Sequence, residues 1–312
     1  MSAPPPPLVI VGCTASGKSD LAEELARRLR STIMAVDSMQ VYRGMDIGTA
    51  KPDAATRAAI PHLMIDLVDP HETYSAARFA DDARPHLHAP RRQDQGPLIL
   101  VGGTILYLRA LLEGLFEGPS ANADIRARLA TEADRIGVPA LHARLKAVDA
   151  LAAERIHPND LRRITRALEV FEITGTPIST LQTQWAKDHP AINCTIIGIR
   201  RDKETLNRRI NARVKAMLAA GLLDEVRTLK TRPEGLSKEA ASAVGYAELL
   251  SYLDRRCSLE EAVERIKINT RHLAKMQRTW LKRFLNVRWL DAAEDQSGRE
   301  LADQALTIAA GA

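Results

Sequence analysis

The chain has 312 residues, enough for one large domain or two smaller ones around a sizeable core. With 45% hydrophobic residues, a net charge of +5 and no apolar run near 18 residues, it reads as a globular chain without a membrane span and with a mild pull toward acidic partners. Aromatics at 4% and three scattered cysteines (Cys13, Cys194, Cys257) exclude serial base-stacking platforms, a zinc site and a disulfide framework, which fits a reducing, cytoplasmic setting.

The first residues, through Pro7, hold four consecutive prolines and no cationic segment ahead of an apolar one, so they read as a loose tail and not a signal peptide. Leu8-Val9-Ile10-Val11 then reads as a short buried strand. Directly after it, Gly12-Cys13-Thr14-Ala15-Ser16-Gly17-Lys18-Ser19 matches G-x-x-x-x-G-K-[ST], the phosphate-cradling P-loop. Leu21, Leu25 and Leu29 give the next segment a helical apolar stripe. In that strand–loop–helix setting the turn's N–H groups and the positive helix end form a nest for a diphosphate or triphosphate. Lys18 supplies a point charge, and the Ser19 hydroxyl a ligand for Mg²⁺.

Two further apolar runs, Thr32–Val36 and Pro97–Val101, are separated by helix-length sequence, the rhythm of an α/β core with a parallel sheet. Segments 123–136, 139–147 and 160–174 carry helical spacing, the last opened by Asn159/Asp160 and stopped by Gly175. Another strand, Cys194–Ile199, follows. The expected organisation is a P-loop core of residues 1–119 and 192–312 with an all-helical insertion over 120–191. After residue 202 the chain is helical again. Ser258-Leu259-Glu260-Glu261 is a capping box that opens a long helix running to about Leu285. On it Lys267, Arg271, Lys275, Arg278 and Lys282 fall within an arc of about 80°, either a solvated face or a polyanion contact. The tail after Asp291 gives no reading.

An ATPase-like P-loop protein carries an acid at the end of a neighbouring strand. Here Pro97–Val101 runs instead into Gly102-Gly103-Thr104, and the carboxylate stands after the second strand, as Asp37. The residues alone therefore describe a group-transfer enzyme with a phosphorylated donor and an acceptor poised at Asp37, or a turn that Asp37 merely caps. An ATP-dependent small-molecule kinase is one such enzyme. A nucleotide-regulated binding protein is a weaker fit, because switch-like elements are not evident.

Beyond the P-loop, the run D-S-M-Q-V-Y-R-G-M-D-I-G-T-A-K-P from Asp37 to Pro52 resembles the tRNA dimethylallyltransferase family. So do V-G-G-T at 101–104 with Leu106-Tyr107, R-I-H-P-N-D at 155–160, and Arg163 with Arg166-Ala167-Leu168-Glu169. Arg213 with Met217, Gly221-Leu222, Val244-Gly245-Tyr246, Ala274-Lys275 and Thr279-Trp280 complete a resemblance that spans nearly the whole chain. It implies transfer of a dimethylallyl group from dimethylallyl diphosphate to the exocyclic N6 amine of the adenosine at tRNA position 37, beside the anticodon. It implies a general base at Asp37, and diphosphate contacts from the P-loop and Arg213 with Mg²⁺. It also implies tRNA contacts from Asp37, Ser38, Met39, Gln40, Thr104, Arg126 and the stretch Arg162, Arg163, Ile164, Thr165, Arg166. The expected partner is the anticodon stem-loop, met by a monomer with no obligatory protein partner. Some positions depart from the family pattern: Arg162 where glutamine is common, Ser242 and Ala247 where arginines often flank V-G-Y, and Met276 where an arginine is expected. No Cys/His zinc module follows residue 290.

Overall fold

The computed structural model describes residues 5–90, 92, 94–116, 118–182, 192–282, 284, 286–296 and 298–310. The start of the proline tail, residues 183–191 and Leu285 lie outside the described residues. The chain divides into two compact units, one of Met1–Leu112 with His189–Ala312, the other of Glu113–Asp188.

The larger unit opens with β1 (Leu8–Gly12), α1 (Lys18–Leu29), β2 (Ile33–Val36), α2 (Ala54–Ala59), β3 (His62–Leu63), α3 (Ala76–His88), β4 (Ile99–Gly102) and α4 (Ile105–Leu112). The smaller unit supplies α5 (Ala123–Ile136), α6 (Val138–Val148), α7 (Ala150–Arg155), α8 (Leu161–Thr174) and α9 (Ile178–Leu181). The larger unit then resumes with β5 (Thr195–Arg200), α10 (Lys203–Ala219), α11 (Leu222–Lys230), α12 (Lys238–Ala241), α13 (Tyr246–Leu253), α14 (Leu259–Leu281), β6 (Arg288–Asp291) and α15 (Gly298–Ala310).

The six strands form one parallel sheet in the order β3-β2-β4-β1-β5-β6. Every residue of β1 is buried, as a central strand covered on both faces requires. Alternation along the strands assigns the faces. Leu8, Ile10, Ile33, Ile99, Ile197 and Ile199 point to a layer made by Leu21 and Leu25 of α1 and by Leu301, Ala302 and Ala305 of α15. Val9, Val11, Met34, Val36, Leu100 and Ile196 point to the other layer, with apolar residues of α3, α4, α10, α11, α13 and α14. Leu21 and Leu25 are each fully buried, and burial of such a side chain is worth about 1.5–3 kcal/mol.

The four expected strands all form, with boundaries shifted by one or two residues. The sheet is wider than the sequence suggested. β3 pairs beside β2, and β6 pairs beside β5, so the sheet extends at both edges. The C-terminal tail folds into α15, which packs on α1 and ties Asp303 to Arg28. The long helix ends at Leu281.

The smaller unit is all-helical around Leu129, Leu141, Leu145, Ile164, Leu168 and Val170. Its helices begin where side chains satisfy free N–H groups: Asn122 accepts from Ile125, Asp149 from Ala152, and Asp160 from Arg163. The buried Asp149 also accepts from Ser179 N–H, which anchors α9.

Candidate active site

Parallel pairing brings the chemistry to one edge. Gly102 is in register with Val11 of β1 and with Val36 of β2, so the P-loop, Asp37 and Gly103 leave the carboxyl ends of adjacent strands at one level. β4 lies between the other two, which sets the P-loop and Asp37 backbones about 10 Å apart, two strand spacings. Only glycine fits at 102, because a Cβ there would lie 2.0 Å from the Val36 carbonyl oxygen.

The P-loop itself is held from outside. Its turn needs left-handed backbone at Ala15 (φ 62°) and Gly17 (φ 95°). Arg209 Nε donates to the Ala15 carbonyl at 2.9 Å, and Arg201 Nε to the Ser16 carbonyl at 2.8 Å. Because a trans peptide sets C=O and the next N–H in opposite directions, pinning Ser16 O outward turns the Gly17 N–H the other way. Arg201 is itself buried and donates onward to the carbonyls of Ala293 and Glu294. Cys13 and Ser16 side chains are buried, so whatever these two residues offer an anion comes from the backbone.

Lys18 and Arg213 form no ion pair or side-chain hydrogen bond among the described residues. Burial, and then the Arg213 charge, push the Lys18 ammonium below its ordinary value, against the opposing pull of Asp37. Burial likewise lowers Arg213, with Asp37 and Asp20 acting the other way. Two cations held close without dedicated counterions describe a site built to receive negative charge. Burial also pushes the Cys13 thiol up, so it is not a poised nucleophile.

Asp37 faces the same space. It lines a cavity of about 410 Å³ together with Thr14, Lys18, Ser19, Thr104, Arg213 and Gln277. Its Oδ1 accepts from the N–H groups of Met39 (2.8 Å) and Gln40 (3.3 Å), so the turn-capping role is real. Oδ2 has no hydrogen-bond partner among the described residues, which leaves it for a ligand. Thr104 Oγ1 accepts from Ser38 N–H at 3.1 Å and fixes the turn that carries Asp37. Gln40 Nε2 donates to the carbonyls of Thr49 (3.1 Å) and Ala50 (3.3 Å), so this side chain holds the cavity wall. A second cavity, of about 500 Å³, shares Ser19, Gln40, Ala50, Val101, Arg213 and Met217 with the first.

The wall at 46–50 depends on Glu225 of α11. Its Oε2 accepts from the N–H groups of Asp46 (3.0 Å) and Ile47 (2.7 Å). Its Oε1 accepts from Gly48 N–H (3.2 Å) and from the Tyr246 hydroxyl (2.6 Å). Gly48 lies flat on the Tyr246 ring, where a Cβ would come within 2.4 Å. Arg201, Arg209 and Glu225 are thus structural parts of the site that sequence reading did not find. Each acts on a backbone far away in sequence, and no local pattern marks such a contact.

The expected tRNA-contact residues divide. Asp37, Ser38, Met39, Gln40 and Thr104 belong to the larger unit, and Arg126 with residues 162–166 to the smaller. There the Glu169 carboxylate, fully buried, accepts from Arg126 at 2.8 and 2.9 Å, from Arg166 at 2.7 Å and from Asn122 N–H at 2.8 Å. Burial alone would raise Glu169, but these donors outweigh it and hold it below the usual glutamate value. Arg162 and Arg163 are exposed, whereas Ile164 is fully buried in the helical core. The Ile164 side chain thus packs in the helical core, unlike those of its neighbours Arg162 and Arg163. The basic residues of α14 also do not form one solvated stripe. Arg271 donates to Asn211 Oδ1 at 2.7 Å, Lys267 pairs with Glu264, and Arg278 lies near enough to Cys13 to act on its thiol.

Among the described residues no group of three or more His, Cys, Asp or Glu forms a metal cage. Ser19 lines both cavities, and Asp20 and Glu23 line the second. One hydroxyl with nearby carboxylates suits a hydrated Mg²⁺ that arrives with phosphate oxygens, since this ion keeps several waters. No helix among the described residues is long and apolar enough to cross a membrane.

Comparison with known proteins agrees with this geometry. A family model described as IPP transferase matches residues 40–284. A tRNA dimethylallyltransferase of Thiobacillus denitrificans is 46% identical, over 96% of each chain. The tRNA dimethylallyltransferase 2 of Hahella chejuensis is 43% identical, over 94% of this chain and 92% of its own. Among solved structures, the tRNA isopentenylpyrophosphate transferase of Bacillus halodurans has a TM-score of 0.69 at 38% identity, covering 98% of this chain and 96% of its own. A eukaryotic dimethylallyltransferase captured acting on tRNA has a TM-score of 0.79 at 26% identity, covering 97% of this chain and 78% of its own. The P-loop sheet, the Asp37 carboxylate across from it and the near-complete overlap with these relatives together establish that the chain belongs to the IPP transferase family, the tRNA dimethylallyltransferases.

Proposed function

We propose that this enzyme transfers a dimethylallyl group from dimethylallyl diphosphate to the N6 amine of the adenosine at position 37 of tRNA, releasing diphosphate. The observation that carries the proposal is one cavity holding Lys18 and Arg213, neither in an ion pair among the described residues, and Asp37, whose Oδ2 has no hydrogen-bond partner among them. The larger unit thus offers an anion seat and a proton acceptor to two substrates at once.

The chemistry follows from charge. As the allylic C–O bond breaks, negative charge grows on the departing diphosphate and cationic character on the carbon. Lys18, Arg213 and the P-loop N–H groups are preorganised where that negative charge develops. Ser19 would hold Mg²⁺, which when bound contributes further charge neutralisation at the diphosphate. The acceptor amine is a poor nucleophile, because its lone pair is delocalised into the purine. A carboxylate is too weak a base to deprotonate it beforehand. Once the C–N bond begins to form, the nitrogen becomes acidic and Asp37 Oδ2 receives the proton. Oδ1 stays engaged with Met39 and Gln40 N–H, so the carboxylate is aimed throughout.

A base stacked in an anticodon loop cannot enter such a cavity, so the nucleotide is extruded, at a cost of a few kcal/mol. In this reading Asp37, Ser38, Met39, Gln40 and Thr104 surround the extruded base and its neighbours. Arg126, Arg162, Arg163, Thr165 and Arg166 of the helical unit meet the anticodon stem-loop, and the enzyme works as a cytoplasmic monomer. The ATP-dependent kinase reading has no support at β4, which leaves into Gly102-Gly103-Thr104 with no carboxylate. The test is incubation of unmodified tRNA with radiolabelled dimethylallyl diphosphate, beside ATP with a metabolite library. Label moving into tRNA supports the proposal; phosphate moving from ATP onto a metabolite, with unlabelled tRNA, overturns it.

A further inference from the structure

Gln277 of α14 reaches into the active site from 263 residues away and bonds to both sides of it. Its Oε1 accepts the Thr14 N–H at 2.7 Å, and its Nε2 donates to the Gly103 carbonyl at 3.0 Å. Gly103 admits it, since a Cβ there would lie 2.4 Å from Nε2. A neutral side chain therefore already occupies one of the P-loop's own amides.

An inventory of the loop's N–H groups shows what remains. Ser16 N–H turns back to the Cys13 carbonyl at 3.2 Å, and Thr14 N–H is taken by Gln277. The N–H groups of Ala15, Gly17, Lys18 and Ser19 have no protein acceptor among the described residues. The free donors and the Lys18 and Arg213 charges thus gather toward the start of α1, while at the other end of the loop the Thr14 N–H is taken by Gln277. A chain of two phosphoryl groups is served by the open end. A third group continuing past Thr14 would have to break both bonds of Gln277 and leave Thr14 N–H and the Gly103 carbonyl to find other partners.

We propose that Gln277 is a specificity-determining residue that limits the P-loop to a diphosphate and rejects a triphosphate. The proposal rests on the diphosphate reading above and extends it to a residue that touches no reacting atom. It also gives a physical reason why a P-loop in this chain need not bind ATP.

The experiment is calorimetric titration of inorganic pyrophosphate and inorganic tripolyphosphate, each with Mg²⁺, into the full-length protein, Gln277→Ala and Gln277→Asn. Asparagine keeps the amide but is one methylene too short to span Thr14 and Gly103, so it serves if alanine disturbs folding. The wild type is expected to prefer pyrophosphate at least tenfold, and either variant to reduce that preference at least tenfold, whatever happens to the absolute affinities. A general loss of loop order would weaken both anions together and leave the ratio unchanged. A ratio within twofold of wild type in both variants, with pyrophosphate still bound, overturns the role of Gln277 alone. A wild type that binds neither anion overturns the diphosphate reading itself.

Discussion

The wall at residues 46–50 offers the clearest quantitative test, because one carboxylate holds it. In Glu225→Gln the side chain keeps its shape, but one acceptor oxygen becomes an NH₂. If the amide replaces Oε2, the N–H groups of Asp46 and Ile47 face a donor; if it replaces Oε1, Gly48 N–H and the Tyr246 hydroxyl do. The first orientation loses two charge-assisted bonds, each worth about 1.5–3 kcal/mol when desolvated; in the second, Gly48 N–H loses its acceptor while the Tyr246 hydroxyl can turn to accept from the new NH₂. Glu225 is only half-buried, so water relieves part of the loss, and a net cost of about 2 kcal/mol is expected. If that cost falls on ordering the wall, kcat/KM drops about 30-fold. Amide hydrogen exchange at Asp46, Ile47 and Gly48 should accelerate by a similar factor while the thermal midpoint moves little. Tyr246→Phe removes one of the four bonds and should cost about 1 kcal/mol, roughly fivefold. Values of kcat/KM within threefold of wild type in Glu225→Gln, with exchange at 46–48 unchanged, would refute the reasoning.

The remaining predictions concern charge and close packing. Lys18 titrates below the ordinary lysine value of 10.5 in the free protein, and a bound diphosphate favours its charged form. Pyrophosphate affinity should therefore decline with rising pH before 10.5 is reached, measured by titration at fixed Mg²⁺; a flat profile up to 10.5 contradicts the assignment. Glu169 is lowered on folding, so its contribution to stability is complete above the ordinary value of 4.5 and disappears as pH falls through the lower folded value. Glu169→Gln should cost about 2 kcal/mol at neutral pH, discounted for the half-exposed arginines, and flatten the acid limb of a denaturation series. Gly102→Ala forces β4 off Val36 and should lower the melting temperature and expression together; a variant as stable as wild type would mean the strands can part without penalty.

What could be read from the amino acids alone was whatever repeats locally. Leu8–Val11 followed by the glycine-rich turn announced β1, the P-loop and α1. Ser258 with Glu261, and Asp160 with Gly175, marked helix ends that the structure places within a residue or two. Asp37 stood out because the carboxylate expected after β4 was missing there. Long-range polar contacts were invisible by nature. Gln277 with Thr14, Arg209 with Ala15 and Glu225 with Asp46 are pairings across 263, 194 and 179 residues, and each depends on the finished sheet for its meaning. β6 and α15 were missed for a different reason. The strand has four residues, and the helix packs through small alanines (Ala302, Ala305) that carry little periodic signal. In α14 the charge type was legible, but residue spacing does not say whether an arginine faces water or, like Arg271, a neighbouring helix.

The central claim is that Asp37 takes the proton as the new C–N bond forms. Its most direct test is a single-turnover measurement of dimethylallyl transfer by Asp37→Asn, with tRNA and pyrophosphate binding measured on the same preparation. The account predicts a rate reduced about 10²- to 10⁴-fold with both affinities within threefold of wild type. A reduction of less than tenfold, with binding intact, would contradict it.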